Sequence, residues 1–334
     1  MIDLSTNENP LGPSPRVVEA ITREARQLHR YPPRDDAGLR DRLAQHHQRG
    51  LTPAHFVVAS SGSEVLDLIA RTTLKQGDEA IICSPTFVVY GVTVANCGAR
   101  LVDVPLDSAS ATHRTDKVLA AITPRTRLLY VCNPGNPTGV MMPSREFDAL
   151  LAQLPPHVLV VADEVYYQYA ADPEFPDSVR HIHDGRNVVI VHSFSKGYGM
   201  AGLRLGYGIG RPDLIERLGH PRLTYHHSRI ALAAGEAALA DQAHVAQTVA
   251  LATKAKASWY REFDRIGLRY WRSEANFVLV APRSATVAEA SLRQAGIQVR
   301  PVDGPGNLRC LRISVGVEEA NQQVVAVLAD PEHR

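Results

Sequence analysis

The chain has 334 residues, 45% hydrophobic and 21% charged, with a formal net charge of +1. This composition supplies a sizeable core and length for about two domains, and so small a net charge excludes a bulk field drawing the chain to nucleic acid or an anionic membrane surface. The N-terminus "MIDLSTNENP" has neither the basic nor the apolar region of a secretory signal, and no apolar run reaches spanning length; the expected location is the cytoplasm.

In chain order, "LGPSP" (11–15) and "YPP" (31–33) read as ordered turns. Short β-branched runs then alternate with amphipathic stretches. Predicted strands are "FVVAS" (56–60), "EAIIC" (79–83), "RLVDV" (100–104), "RLLYVC" (127–132), "VLVVAD" (158–163), "NVVIVHS" (187–193) and "LGYGIG" (205–210). Predicted helices between them cover 63–74, 87–98 and 144–154. The alternation predicts an α/β fold, a mostly parallel seven-stranded sheet with helices on both faces. From Ser228 the chain turns Ala-rich, and 228–263 reads as one long helical span. Strands at 275–281, 297–302 and 310–316 and a helix at 285–296 then predict a smaller α+β C-terminal domain.

Few residues offer metal or disulfide chemistry. Cys83, Cys97, Cys132 and Cys310 form no C-x-x-C and lie in or beside apolar segments, so they read as buried thiols. The paired histidines His46-His47 and His226-His227 lack the i, i+4 spacing of a zinc site, and no metal is expected. Lysine is scarce: Lys75, Lys117, Lys196, Lys254 and Lys256 are the whole set. Of these, Lys196 alone stands between an apolar strand and a Gly-rich turn.

Ligands of open α/β sheets bind outside the carboxyl ends of the strands. The residues found there are Ser61-Gly62-Ser63-Glu64, Phe87, "NPGNPTG" (133–139), Asp163 with Tyr166, and Ser195-Lys196 followed by Arg204. Each has a plain reading of its own: a capping box, a core ring, a turn-rich loop, a helix cap, an ion-pair partner. Their shared position at strand ends argues for one site. "GYGMAG" (197–202) also matches G-x-G-x-x-G, but the position twenty residues on is Arg222 where a dinucleotide fold needs an acid. A dinucleotide reading also leaves Lys196 and Arg204 without a role.

The motifs "NPGNPTG", "ADEVYY" (162–167), "SFSKGYGMAGLRLGYG" (193–208) and "LRISVG" (311–316) resemble those of fold-type I pyridoxal-phosphate-dependent aminotransferases. Within them, "STNENPLGPSP" (5–15) and "RYP" (30–32) look like the histidinol-phosphate aminotransferase branch. The resemblance covers nearly the whole chain and implies pyridoxal 5'-phosphate as cofactor. Lys196 would form a Schiff base with it and shuttle the proton at the substrate carbon. Asp163 would pair with the ring nitrogen, Asn136 and Tyr166 with the ring's phenolic oxygen, and Phe87 would stack on the ring. Gly62, Ser63, Ser193, Ser195 and Arg204 would hold the phosphate, joined by Tyr31 of a neighbouring subunit in a homodimer. Arg312, Arg300 and Asn7 would face the substrate.

The implied division is an N-terminal segment (1–30) packing on the small domain or partner subunit, a large cofactor domain (31–225), and a connecting helix with the small domain (226–334). The chain begins close to "STNENP", so a shortened substrate wall and dimer contact are expected. The implied reaction exchanges an amino group between an amino acid, or an amino-alcohol phosphate such as histidinol phosphate, and a 2-oxo acid such as 2-oxoglutarate. An arginine-like donor, a phosphothreonine-type decarboxylase and a cofactor-binding regulatory domain stand as alternatives. Neither a nucleic acid nor a membrane is expected as partner.

Overall fold

The computed structural model describes residues 1–333. Its strands, in chain order, are β1 (Ile2–Asp3), β2 (Phe56–Ala59), β3 (Glu79–Ile82), β4 (Arg100–Asp103), β5 (Thr126–Cys132), β6 (Leu159–Asp163), β7 (Val188–Ser193) and β8 (Gly206–Gly210). They continue with β9 (Arg269–Trp271), β10 (Phe277–Ala281), β11 (Ile297–Gln298), β12 (Arg300–Asp303) and β13 (Arg309–Ser314). A seven-stranded sheet runs in the order β2-β8-β7-β6-β5-β3-β4. Neighbours from β7 to β4 are parallel, and β8 is antiparallel to both β7 and β2. A four-stranded antiparallel sheet, β12-β13-β10-β9, forms the smaller layer.

Strand periodicity builds two cores on the large sheet, one per face. Leu159, Val161, Val189 and Val191 point into one with Val65, Leu66 and Ile69 of the helix Gly62–Thr73. Val160, Ala162, Val188 and Ile190 point into the other. Strands covered on both sides need apolar residues at every position, which is why β6 and β7 read as unbroken apolar runs. The alternation also fixes the polar strand ends: Asp163 continues the Leu159/Val161 face and Ser193 the Val189/Val191 face.

A third core, with Trp259, Phe263, Phe277, Ile313 and Val324, holds the smaller sheet against its helices. Leu4 and Tyr166 join it, so the N-terminal segment and the end of β6 lie where the two layers meet. β1 pairs in parallel with β11, Ile2 opposite Ile297.

The Ala-rich span differs from the sequence expectation. It is two helices, Arg229–Leu239 and Gln242–Ile266, broken at Ala240-Asp241. Asp241 leaves helical geometry (φ −120°, ψ 62°), and the Gln242 side chain donates to the freed carbonyl of Leu239 at 3.0 Å. Asp is a poor helix-interior residue because its side chain competes for backbone donors, so the break falls there. The second helix ends at Gly267, in the left-handed region (φ 71°). Helices Pro15–Ala25 and Ala37–His47 add to the expected set. All four cysteines are free, three of them buried. Among the described residues no helix is long and apolar enough to cross a membrane, and no cluster of His, Cys, Asp or Glu is arranged to hold a metal ion.

Candidate active site

The turn after β7 delivers Lys196 to the junction of the layers. Its Nζ donates to the carbonyls of Thr6 (3.2 Å) and Asn7 (3.1 Å) and lies 5.6 Å from the Tyr166 ring centroid. Among the described residues no carboxylate forms an ion pair with it. Burial, with help from the Arg312 charge and against the pull of Glu8, brings its pKa down to about 8. The amine is therefore partly neutral near pH 8, as a nucleophilic lysine requires.

Asn7 is the hub of the N-terminal strap. Its backbone is left-handed (φ 55°), a conformation Asn tolerates. Its Nδ2 donates to the Tyr166 hydroxyl (3.0 Å), its Oδ1 accepts from Ser314 (3.1 Å), and its carbonyl accepts from Asn276 (3.1 Å). Arg312 of β13 donates to Asn136 Oδ1 (2.7 Å) and the Ser5 carbonyl (2.6 Å), while its buried Nε has no partner. Asn136 Nδ2 reaches the Tyr166 hydroxyl at 3.5 Å. Lys196, Asn7, Tyr166, Asn136 and Arg312 thus form one connected group drawn from five separate segments of the chain. Burial raises the Tyr166 hydroxyl above its ordinary value, so it stays protonated.

Asp163 ends β6, 2% exposed. Tyr90 donates to its Oδ2 at 2.6 Å, and the Val165 amide makes a long 3.4 Å contact with Oδ1. Among the described residues no Lys, Arg or His pairs with this carboxyl. Burial raises its pKa to about 6, against the lowering effect of the Tyr90 hydrogen bond. A buried carboxylate without a cation is costly, and a cationic group bound there would offset that cost.

The helix Gly62–Thr73 opens beside these groups. Ser61 caps it, accepting from the Glu64 amide (3.2 Å), and the Glu64 carboxylate accepts from the Ser60 amide. A Cβ at Gly206 of β8 would stand 2.4 Å from the Gly62 nitrogen, so only glycine lets the helix start come this close. Ser193 pairs with Gly206 in the ladder, and its hydroxyl accepts from the Ser195 amide (3.1 Å). The result is a helix N-terminus with the Ser193 hydroxyl beside it, a setting that favours an anion. Gly199, which sits in the G-x-G-x-x-G match, is left-handed (φ 69°), and a Cβ there would stand 2.1 Å from the Gly12 carbonyl oxygen. That glycine admits the N-terminal strap.

Other sequence candidates stand apart from this cluster. Arg204 is exposed and donates to the Ala201 carbonyl (2.7 Å); its charge reaches Lys196. Arg300 lies opposite Arg312 across the β12–β13 ladder, exposed, and its charge acts on Arg312. Phe87 packs edge-on to Tyr90 (5.8 Å). Ser63, in the first helical turn, is half-buried. Tyr31 is 77% exposed and stacks on Tyr225 (4.8 Å). Sequence reasoning passed over Tyr90, Asn276, Ser314 and Gly206. Tyr90 sits within an amphipathic run and reads as core, whereas Asn276, polar between apolar neighbours in "ANFVLVA", is a signal that was available.

The chain matches the family model described as aminotransferase class I and II over residues 1–328. It is 36% identical to the histidinol-phosphate aminotransferase of Moorella thermoacetica, over 99% of this chain and 85% of that protein. Its identity to the histidinol-phosphate aminotransferase of Symbiobacterium thermophilum is 40%, over 98% of this chain and 90% of that one. The crystal structure of histidinol-phosphate aminotransferase from Sinorhizobium meliloti in complex with pyridoxal-5'-phosphate superposes with a TM-score of 0.90 at 28% identity, covering 98% of this chain and 90% of that one. Aspartate aminotransferase from Thermus thermophilus with maleate gives 0.86 at 26% identity, over 98% and 91%.

Proposed function

The chain belongs to the class I and II aminotransferase family, and from that premise we propose that it moves an amino group from histidinol phosphate to 2-oxoglutarate. Its cofactor is pyridoxal 5'-phosphate, which when bound supplies an electrophilic aldehyde and an electron-withdrawing ring. Three observations support the fit of these residues to that group. Asp163 is a buried carboxylate lacking a cation, suited to a protonated ring nitrogen. The helix start at Gly62, with Ser193 beside it and Gly206 packed against it, suits a phosphate, to which Ser63, Ser195 and Arg204 would be recruited in this reading. Lys196 is a lysine of lowered pKa with only carbonyl partners, suited to covalent attachment.

The single observation that carries the reading is the Lys196 amine held between Asn7, Tyr166 and the Arg312 charge. In this reading Lys196 holds the cofactor and then moves the proton at the substrate carbon. Tyr166 and Asn136 orient the ring's phenolic oxygen, and Phe87 covers the ring face. Arg312 binds the anionic end of either substrate, its unpartnered Nε leaving a donor for it, with Arg300 and Asn7 beside it. Both proposed substrates carry such an end: the phosphate of histidinol phosphate and a carboxylate of 2-oxoglutarate.

The working unit is a homodimer in the cytoplasm, in which Tyr31 serves the partner's phosphate site. Supporting this, Tyr31 and Tyr225 stack on each other with both rings exposed, and Leu223 nearby in sequence is exposed as well. A half-reaction screen tests the substrate. Holoenzyme is mixed singly with histidinol phosphate, glutamate, arginine and phosphothreonine while cofactor absorbance is followed. Histidinol phosphate and glutamate are expected to convert the aldehyde form to the amine form. Conversion by arginine alone, or carbon dioxide released from phosphothreonine, overturns the reading.

A further inference from the structure

The geometry points to Tyr90 as a positioning residue for Asp163: its hydroxyl fixes Oδ2, leaves Oδ1 to face the cofactor ring, and holds the carboxyl in its ionised form. This rests on the reading of Asp163 as partner of the ring nitrogen.

Tyr90 lies in the helix Val89–Asn96, fully buried, and two aromatic neighbours set its ring. Its ring stacks on Tyr130 of β5 (centroids 4.6 Å, interplanar angle 17°), Phe87 meets its face edge-on, and Thr93 donates to its carbonyl (3.0 Å). The hydroxyl makes a 2.6 Å hydrogen bond to Asp163 Oδ2 and also faces the Cys132 thiol. That length is typical of a charge-assisted O–H···O⁻ bond, about twice as strong as a neutral one. Oδ1 has only the long Val165 amide contact and is the oxygen with capacity to spare.

Of the groups facing this carboxyl, only Tyr90 and the more distant Val165 amide favour its ionised form, and Tyr90 is the stronger. From β5 come the Cys132 thiol, which burial pushes up to about 12, and the Tyr130 phenol, raised by burial as well. From its own segment come Glu164, whose charge opposes ionisation of Asp163, and Tyr166, whose hydroxyl stays protonated. Tyr90 itself is raised well above its ordinary value by burial and by the Asp163 charge, so it keeps its proton and remains the donor. Against the burial that raises Asp163 to about 6, its hydrogen bond is the largest opposing influence. Without it the carboxyl's pKa climbs towards neutrality, and a neutral acid does not hold a cationic ring nitrogen.

The experiment uses full-length protein with Tyr90→Phe and with 3-fluorotyrosine at position 90, a better donor of nearly the same shape. Two quantities are read: the Asp163 titration in cofactor-free protein, by infrared difference against Asp163→Asn, and cofactor affinity by fluorescence. Tyr90→Phe is expected to move the titration upward and weaken cofactor binding about tenfold, the loss of a hydrogen bond to a charged group. Fluorotyrosine is expected to move the titration downward. An unmoved titration and unchanged affinity in both overturn the assignment and leave Tyr90 as packing for Tyr130. Should Tyr90→Phe fail to fold, the fluorotyrosine protein decides alone. Asp163→Asn separates the two levels: unchanged cofactor affinity in that variant overturns the reading of Asp163 itself.

Discussion

At Asp163 the site holds a charge that the fold disfavours. The carboxyl's pKa is about 6 in the folded chain against 3.8 in its ordinary state, with burial as the cause. The folded chain therefore binds more protons than the unfolded one between those values, and stability falls as pH rises from about 4 to about 6. Cofactor-free Asp163→Asn is expected to be more stable than the parent at pH 7 by up to about 3 kcal/mol, with the gain vanishing near pH 4. Denaturant unfolding at both pH values checks this; equal stability at pH 7 contradicts it. Lys196 works in the opposite sense. Its pKa, about 8 against 10.5, makes the unfolded chain the better proton binder, so stability rises with pH between them. The rate of cofactor loading is expected to rise up to about pH 8 and then level off, because only the neutral amine reacts. A rise continuing beyond pH 10 would mean an ordinary lysine. Both residues were legible in the sequence, since each stands at a strand's carboxyl end where an apolar run stops. Tyr90 was not, because nothing along the chain distinguishes a tyrosine aimed at a carboxylate from one packed in a core.

Strand periodicity and one close approach place the groups at the level of elements. Period 2 puts Asp163 and Ser193 on the same face as the helix Gly62–Thr73, so the sheet aims both towards the helix start. Gly206→Ala would press a methyl against the Gly62 nitrogen and the Ser61 carbonyl carbon, 2.4 and 2.5 Å away. Overpacking of this kind costs about 1–3 kcal/mol, and the loss is expected to appear both in unfolding and as weaker cofactor binding. Gly202→Ala, in the same motif with nothing within 4 Å of the added methyl, is the control and is expected to change neither. Equal effects in the two variants contradict the argument. The alternation of elements was legible because buried parallel strands carry unbroken apolar runs. The break at Ala240-Asp241 was not, because the apolar pattern continues on both sides and one Asp carries the signal.

Across the whole molecule, residues from both ends of the chain meet at Lys196: Asn7 and Ser5 from the start, Arg312 and Ser314 from near the end. Such long-range contacts follow from topology, and they reached the sequence reading only through the family resemblance. If Tyr31 serves the partner's phosphate site, mixing Lys196→Ala with Tyr31→Ala chains under exchange restores one intact site per hybrid. Activity is expected to exceed that of either parent; no gain on mixing would place Tyr31 with its own chain or outside the site. The account as a whole stands on which lysine carries the cofactor. The fold offers a second lysine of lowered pKa, Lys256, buried and also about 8, whose Nζ donates to the Ser273 carbonyl (2.6 Å). Holoenzyme reduced with borohydride and digested gives the answer by peptide mass. The cofactor adduct is expected on Lys196 alone; an adduct on Lys256, or on no lysine, contradicts the account.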